Sequence, residues 1–151
     1  MAKKNRRWIC HYCRKLNESN KRKCIWCGEW KVGDKSKLIR DLDGLVSKYT
    51  LKTKGRVCIT CGKPATDAGH YRSRGHMMTR WYLNNIHPQC VGCNRFCNGR
   101  LDEYALYIVN KYGQDELKKI HRMSNIVFQP TKPWLLEKIK EYKSKLEALW
   151  I

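Results

Sequence analysis

Four pairs of cysteines, each pair separated by two residues, place the strongest constraint on the fold of this 151-residue chain. A two-residue spacing lets both thiolates of a tight turn reach one tetrahedral zinc ion, and two such turns complete the coordination sphere. We therefore predict two structural zinc sites, one within residues 10–27 and one within residues 58–93. The paired cysteines are Cys10, Cys13, Cys24, Cys27, Cys58, Cys61, Cys90 and Cys93, and Cys97 is the ninth.

Two other interpretations of these pairs are open at this stage. Each C-x2-C pair could be a redox motif, although four of them in so short a chain disfavour that interpretation. The order of the pairs along the chain also allows the turns to combine in another way. Zinc sites filled by four thiolates leave no position for substrate, so their role would be structural. Each would contribute about 10–16 kcal/mol of apparent binding energy to segments too small to bury a core.

The chain is strongly basic, with 32 Lys and Arg against 13 Asp and Glu and a net charge of +19. Residues 1–56 carry +12, residues 57–100 carry +5 and residues 101–151 carry +2. Trp8, His11, Trp26 and Trp30 are interleaved with the basic residues of the first segment. Because such rings can stack on bases while Lys and Arg contact phosphates, the pattern favours a nucleic-acid partner over a basic solubility coat. In this segment the candidate nucleic-acid-binding residues are Arg14, Lys15, Lys21, Arg22 and Lys23.

The sequence indicates a cytoplasmic protein without a membrane partner. No apolar run approaches the ~20 residues that a bilayer-spanning helix needs. The basic start is followed by Trp8-Ile9-Cys10 and not by the apolar core of a signal peptide. Nine cysteines in a reducing compartment point to metal binding and not to disulfides.

The spacing of apolar residues predicts helices over residues 36–49, 101–112, 115–122 and 131–149. Gly113 is the expected stop of the second helix, and Thr131 with Pro133 is the expected start of the last one. We divide the chain into a basic zinc finger (1–33), a basic helical linker (34–56), a second zinc module (57–113) and C-terminal helices (114–151).

The first module resembles zinc fingers of the Ran-binding-protein type. Residues 8–27 follow the pattern W-x-C-x2-C-x3-N-x6-C-x2-C, in which Asn17 is the fixed asparagine. The resemblance implies a two-hairpin zinc ribbon in which Asn17 braces a cysteine turn. Some members of that family bind single-stranded RNA and others bind ubiquitin. Arg14-Lys15 and Glu18-Ser19 differ from the contact residues of both groups, so the resemblance supplies a fold but does not identify the ligand. The basic residues favour nucleic acid, with RNA as one candidate. A protein-interaction adaptor is a third interpretation, for which the ubiquitin-contacting residues are missing.

Polar residues that zinc does not need lie within the second module. Phosphodiester hydrolysis requires a base for water, a divalent metal ion and a group that orients the base. His70 can act as the base, and Asp67 is a hard oxygen ligand suited to Mg²⁺. On a regular strand these two side chains would lie on opposite faces, so a twist or bulge is expected. Asp67 and Asn94 could instead cap a turn and a helix, and we interpret His76 and His121 as ordinary surface or core histidines.

The spacing C-x2-C, His70, then N-x4-C-x2-C-N resembles the HNH endonucleases of the zinc-containing ββα-metal type. The resemblance implies that His70 is the general base, that Asn85 orients it and that Asn94 binds the catalytic metal. That family usually has a metal-binding Asp directly before the His. Here that position is Gly69, and Asp67 is the substitute we expect.

A closer resemblance, over residues 58–113, is to the NinG (Rap) recombination endonucleases of lambdoid phages. Its motifs are C-I-T-C-G at 58–62, D-A-G-H-Y-R at 67–72 and N-I-H-P-Q-C-V-G-C-N at 85–94. The resemblance implies an endonuclease, dependent on Mg²⁺ (or Mn²⁺), that cleaves branched DNA such as Holliday junctions and D-loops in the host cytoplasm. His87 lies within the motif and is a candidate second metal ligand or phosphate contact. Paired cuts across a symmetric junction would suit a homodimer.

Taken together, the sequence predicts an α+β, zinc-stabilised ββα-metal (HNH) core with a helical C-terminal part and a small N-terminal zinc ribbon. The alternative is a non-catalytic zinc-finger protein that binds DNA or RNA. That alternative explains the charge and the cysteines equally well, but it does not explain the Asp67, His70, Asn85 and Asn94 set. The arginines expected on flanking phosphates are Arg72, Arg74, Arg80, Arg95 and Arg100.

Overall fold

The computed structural model describes residues 7–10, 13–18, 24–26 and 35–150. The chain divides into two compact units, residues 1–40 and residues 41–151, and the division falls within the first helix. Within the described residues, none of the helices is both long and apolar enough to cross a lipid bilayer.

The first unit contains a two-stranded antiparallel sheet. Strand β1 (Arg7–Ile9) pairs with β2 (Leu16–Glu18), so that Arg7 lies opposite Glu18. The turn between them begins with the Cys10 N–H donating to the Lys15 carbonyl. Asn17 is buried, its amide donates to the Lys15 carbonyl at 3.0 Å, and its side-chain oxygen accepts from the Ile25 N–H at 3.0 Å. Asn17 therefore braces the cysteine turns.

Helix α1 runs over Lys35–Thr53, so it begins one residue earlier and ends four residues later than predicted. Leu42, Val46 and Thr50 are buried along one face. Gly44 lies on the exposed side, where a Cβ atom would meet nothing within 4 Å. It therefore costs the helix only its intrinsic disadvantage of about 1 kcal/mol relative to alanine, which the packed face offsets.

A second antiparallel pair forms the centre of the second unit. Strand β3 (Asp67–His70) pairs one-to-one with β4 (Ile86–Gln89), with Asp67 opposite Gln89 and His70 opposite Ile86. The expected bulge is therefore absent from this pairing. A short π-helical turn, Gly92–Phe96, follows β4 directly.

Three helices complete the second unit: α2 (Leu101–Tyr112), α3 (Gln114–Ser124) and α4 (Lys132–Glu147). Gly113 ends α2 at a φ of 90°, which is costly for other residues, and this confirms the predicted stop. The Thr131 hydroxyl accepts from the Trp134 N–H and confirms the predicted cap of α4. A 3₁₀ turn, Ala148–Trp150, follows α4, so the α-helix ends slightly earlier than predicted.

The core that supports the site is formed by Tyr104 and Ile108 of α2 with Ile120 of α3, all completely buried. Leu101 and Leu149, apolar residues at the ends of two predicted helices, are not in it. Leu101 is 48% exposed because it lies in the first turn of α2, at the rim of a cleft. Leu149 is 46% exposed because it lies beyond the last turn of α4.

Candidate functional site

The cysteine thiols form two clusters. The sulfur atoms of Cys58, Cys61, Cys90 and Cys93 all lie within 4.8 Å of one another, and so do those of Cys10, Cys13 and Cys24. Neighbouring pairs therefore combine as we predicted, and both clusters could hold zinc. Four thiolates are the donor number and type of a structural zinc site. Cys27 lies outside the described residues, and Cys97 is exposed and belongs to neither cluster.

The cluster of Cys58, Cys61, Cys90 and Cys93 closes one end of the β3–β4 pair, and beside this pair lies an open cleft of about 660 Å³. Three residues predicted for the chemistry line the cleft: Asp67, His70 and Asn94. Three of the predicted phosphate-binding arginines also line it: Arg72, Arg74 and Arg95. The cleft therefore combines an imidazole, oxygen donors and cations, although β3 has no bulge.

The imidazole of His70 is held in one orientation. Its Nε2 lies 2.9 Å from the carbonyl oxygen of Arg80. A carbonyl can only accept, so Nε2 carries the proton and Nδ1 carries the lone pair. Burial, reinforced by the nearby Arg74 cation, lowers the pKa of His70 to about 4. At neutral pH the ring is uncharged and able to accept a proton.

Asp67 and Asn94 are in direct contact. The Asn94 amide donates to Asp67 Oδ2 at 2.9 Å, which leaves the side-chain oxygen of Asn94 available. Arg95 donates to both oxygens of the same carboxylate, at 2.8 and 3.1 Å. Partial burial opposes ionisation, but the bonds from Arg95 and Asn94 outweigh it and hold the pKa of Asp67 below its usual value. The site therefore presents a carboxylate that already faces a cation.

The packing around Gly69 explains why the residue directly before His70 does not carry a carboxylate. A Cβ atom at this position would lie 2.0 Å from Gln89 Oε1 and 2.8 Å from its Cδ atom. Gln89 is completely buried, and its amide donates to the Gly99 carbonyl at 2.8 Å. The side chain of Gln89, which lies diagonally across on β4, therefore occupies the space of any side chain at position 69.

Asn85 does not reach the ring of His70. Its side chain accepts from the Arg72 N–H at 2.7 Å and donates to the carbonyls of Arg72 and Thr79. It is completely buried and joins the two ends of the loop between β3 and β4. Any orienting effect on His70 must act through this loop, which contains the Arg80 carbonyl.

His87 requires a correction. It is completely buried, and its two ring nitrogens are hydrogen-bonded to the hydroxyls of Tyr104 and Tyr112 at 3.1 and 3.0 Å. The ring also packs edge-on against Tyr107. A residue with both nitrogens engaged inside the core cannot bind a surface metal or a phosphate, so we reassign His87 to the packing of α2 on β4.

Two of the predicted phosphate-binding arginines lie outside the cleft. Arg80 donates to both oxygens of Asp43 and to the Arg74 carbonyl, so it ties the loop to α1. Arg100 is paired with Glu103 on the first turn of α2. A guanidinium already bound to a carboxylate is less available to phosphate.

The predicted basic residues of the first unit are only partly described. Lys15 lies over the ring of Trp26, with Nζ 4.5 Å from its centre, and Trp26 is 60% exposed. Arg14 has a left-handed backbone with a φ of 59°. Lys21, Arg22 and Lys23 lie outside the described residues.

Sequence reasoning missed several residues that line the cleft, and Ser47 and His76 are two of them. Ser47 comes from α1, far from the motifs in sequence, and no local signal could have indicated it. His76 was interpreted as an ordinary histidine, although it follows His70 by only six residues and lies in the loop after β3. That short separation was the available signal.

The described part of the chain is thus a mixed helical and β-sheet protein with two cysteine clusters that could bind zinc. Residues 14–150 match the family described as Bacteriophage Lambda NinG protein, and the chain belongs to that family of phage proteins.

The ninG proteins of several phages are similar to this chain. That of Escherichia phage lambda is 34% identical over 100 residues, which are 61% of this chain and 47% of the relative. That of Salmonella phage P22 is 33% identical over 103 residues, with the same coverage of 61% and 47%. That of Escherichia phage 933W is 33% identical over 94 residues, covering 60% and 44%. The chain therefore matches less than half the length of these relatives, and no solved structure matches it significantly.

Proposed function

We propose that this protein is a metal-dependent, structure-specific DNA endonuclease of the HNH type that cleaves branched recombination intermediates. The observation that carries the proposal is the cleft in which His70, Asp67 and Asn94 meet three arginines. The order of two antiparallel strands and a helical turn that carries Asn94 also fits a ββα-metal core. Branched DNA as the substrate follows from the resemblance of residues 58–113 to NinG (Rap) endonucleases.

Asp67 and Asn94 would hold the divalent metal ion. An ionised carboxylate and an amide oxygen are hard ligands of the kind that Mg²⁺ and Mn²⁺ prefer. The guanidinium of Arg95 already occupies one side of Asp67, which indicates that this carboxylate can face a positive charge. When bound, the metal would supply Lewis-acid stabilisation of the charge that develops on the phosphate.

His70 would take the proton of the attacking water. The lone pair is on Nδ1, because Nε2 donates to the Arg80 carbonyl. The pKa of about 4 keeps the ring neutral at the pH of the cytoplasm. General-base catalysis of this kind contributes about 10²–10⁴-fold to a rate.

Arg72 and Arg74 would contact phosphates on either side of the scissile bond. Both line the cleft, and Arg72 Nε is anchored to the Ser124 hydroxyl at 3.1 Å. This anchor leaves the terminal nitrogens of Arg72 for phosphate oxygens, which the planar guanidinium fork suits. The net charge of +12 on residues 1–56 would add affinity that depends on salt but not on DNA sequence.

A labelled four-way junction incubated with the protein and Mg²⁺ tests the proposal. We expect cleavage that chelation of Mg²⁺ stops and that His70→Ala reduces at least about 100-fold. The control is Glu137→Ala, which removes an exposed side chain from α4 outside the cleft and is expected to cut like the unchanged protein.

Three outcomes would contradict the proposal: no cleavage, cleavage without a divalent metal, or cleavage unaffected by His70→Ala. Salt-sensitive binding of the junction without turnover would favour the non-catalytic DNA- or RNA-binding protein instead.

A further inference from the structure

A second histidine of the cleft, His76, is held in one orientation. Its Nδ1 lies 2.8 Å from the carbonyl oxygen of Ser124, at the end of α3. Since the carbonyl can only accept, Nδ1 donates and Nε2 carries the lone pair. Among the described residues, Nε2 has no hydrogen-bond partner, and the residue lines the same cleft as His70.

The backbone around His76 is equally constrained. The His76 N–H donates to the Ser73 carbonyl at 3.0 Å, and the His76 carbonyl accepts from the N–H and the hydroxyl of Thr79. Arg72 is joined to the Ser124 hydroxyl, so the loop contacts the end of α3 at two points. The ring is therefore fixed by the fold before any substrate arrives, which is what catalytic positioning requires.

Hydrolysis of a phosphodiester moves two protons, and His70 accounts for only one. Water loses a proton as its oxygen bonds to phosphorus, and the departing oxygen needs a proton as its bond to phosphorus breaks. His70 is unsuited to the second transfer because its pKa of about 4 keeps it unprotonated and its Nε2–H is bound to the Arg80 carbonyl.

The other side chains that line the cleft are poor donors for that second proton. Arginines keep their protons at any physiological pH, and Asp67 is ionised. Burial raises the pKa of Tyr71, whose hydroxyl is hydrogen-bonded to His121. The serine and threonine hydroxyls are much weaker acids. Imidazole is the side chain that exchanges protons readily near neutral pH.

We propose that His76 is the general acid of the cleft and protonates the leaving oxygen through Nε2. The acid is the cationic form of the ring, which carries a proton on Nε2 as well as on Nδ1. In this step the electron pair of the breaking P–O bond goes to the departing oxygen, which takes the proton from Nε2 and leaves the neutral ring with its lone pair there. His70 has meanwhile taken a proton from the attacking water, and both rings return to their starting states by exchange with solvent. The Ser124 carbonyl accepts from Nδ1 in both states of the ring, so His76 does not have to rotate. This role rests on the proposed endonuclease activity.

A substrate whose leaving atom is sulfur tests this assignment. The scissile bond is first mapped with the unchanged protein, and junctions are then made with sulfur in place of the 3′ or the 5′ bridging oxygen at that bond. A thiolate leaves without a proton, so it needs no general acid. The variant is His76→Asn, because the asparagine amide can still donate to the Ser124 carbonyl. All reactions contain Mn²⁺, which tolerates both oxygen and sulfur ligands.

We expect His76→Asn to cut the natural junction at least about 100-fold more slowly, and to cut one of the sulfur-containing junctions within about tenfold of the unchanged protein. His70→Ala should be slow on both, because it impairs attack and not departure. Equal loss on natural and sulfur junctions, or no loss at all, would overturn the assignment. If the unchanged protein cuts no junction, the endonuclease proposal fails. If the unchanged protein cuts the natural junction but sulfur does not restore cleavage by His76→Asn, only the assignment of His76 as the general acid is refuted.

Discussion

Asp67 is the residue on which the cleft depends most closely, because three groups compete for its two oxygens. Asn94 and Arg95 both donate to it, and the proposed metal ion would need the same carboxylate. Its side chain is 12% exposed whereas that of Arg95 is 64% exposed. The arginine can therefore move into solvent or towards a phosphate more easily than the carboxylate can move towards anything else.

Replacing Arg95 with glutamine is expected to strengthen divalent metal binding at Asp67. The change removes a competing cation, but the ion pair is exposed and screened by solvent, so affinity should rise by only about a few-fold. Mn²⁺ titration of the zinc-loaded protein by electron paramagnetic resonance measures it. Arg122→Gln, which changes an exposed arginine of α3 outside the cleft, is the control and should change nothing. Weaker Mn²⁺ binding by the Arg95 variant would contradict the prediction.

Replacing Gly69 with alanine is expected to lower the unfolding free energy, whereas replacing Gly44 with alanine is expected to raise it. Gly69→Ala places a methyl group against the buried Gln89 side chain and should cost about 1–3 kcal/mol of unfolding free energy through overpacking. Gly44→Ala meets no neighbour in an exposed helix interior and should gain about 0.5–1 kcal/mol. Urea unfolding at constant zinc measures both. A neutral Gly69→Ala would mean that Gln89 can move aside without loss.

At the scale of elements, the loop between β3 and β4 positions the histidines of the candidate site. Asn85 joins its ends, His70 is held by its Arg80 carbonyl and His76 is held by the end of α3. Each bond goes to a backbone group, so the sequence motif identifies the residue but not its partner.

The difference between local and distant contacts explains how far the sequence could predict the fold and the site. Helix starts and stops follow local rules, and Thr131 and Gly113 act as expected because their hydrogen bonds lie within one turn. The joining of Asp67 with Asn94 follows from two motifs whose spacing suggested a shared site. The burial of His87 and the pairing of Arg80 with Asp43 depend on helices far away in sequence, and no periodicity reveals them.

His87 is buried where α2 packs on β4. It should make the protein less stable as the pH falls below about 6.5, the ordinary pKa of a histidine. Burial, with the Lys54 and Lys111 cations nearby, lowers the pKa of His87 to about 2, so the folded protein keeps this ring neutral while the unfolded chain protonates it. The unfolded state therefore binds more protons, and His87 removes up to about 1.4 kcal/mol of unfolding free energy per pH unit between these two pKa values.

His87→Gln tests this contribution. The variant should be less stable at pH 7.5, since it disturbs the bonds to Tyr104 and Tyr112, but its stability should fall less steeply between about pH 6.5 and 5.5. Urea unfolding at fixed free zinc provides the two slopes, and acid loss of zinc is common to both proteins. Identical slopes would show that His87 is not held neutral.

At the scale of the whole molecule, the two thiol clusters are expected to determine stability. The apparent binding energy of a structural zinc, about 10–16 kcal/mol, is as large as the whole unfolding free energy of a typical domain, about 5–15 kcal/mol. The second unit has its cluster at one end of the strand pair that carries Asp67 and His70. Loss of zinc from this cluster should therefore unfold the cleft.

Cys93→Ser is expected to reduce the zinc content from two ions per chain to one and to abolish the cooperative unfolding of residues 41–151. Cys97→Ser is the matched control, because Cys97 is exposed and lies outside both clusters, and it should retain two zinc ions and unfold like the unchanged protein. Elemental analysis of purified protein gives the zinc content, and circular dichroism gives the transition. Full zinc content in the Cys93 variant would contradict the assignment of the cluster.

The order in which the residues of this thiol cluster and of the cleft follow one another along the chain also has a consequence for biosynthesis. Cys58 and Cys61 leave the ribosome first, Asp67, His70 and His76 follow, and Cys90 and Cys93 come last with Asn94 directly behind them. A growing chain therefore contains His70, the proposed base, before it contains Cys90 and Cys93, which complete the thiol cluster, or Asn94, the second proposed oxygen donor. We expect that a nascent chain cannot cut DNA until translation has passed residue 94.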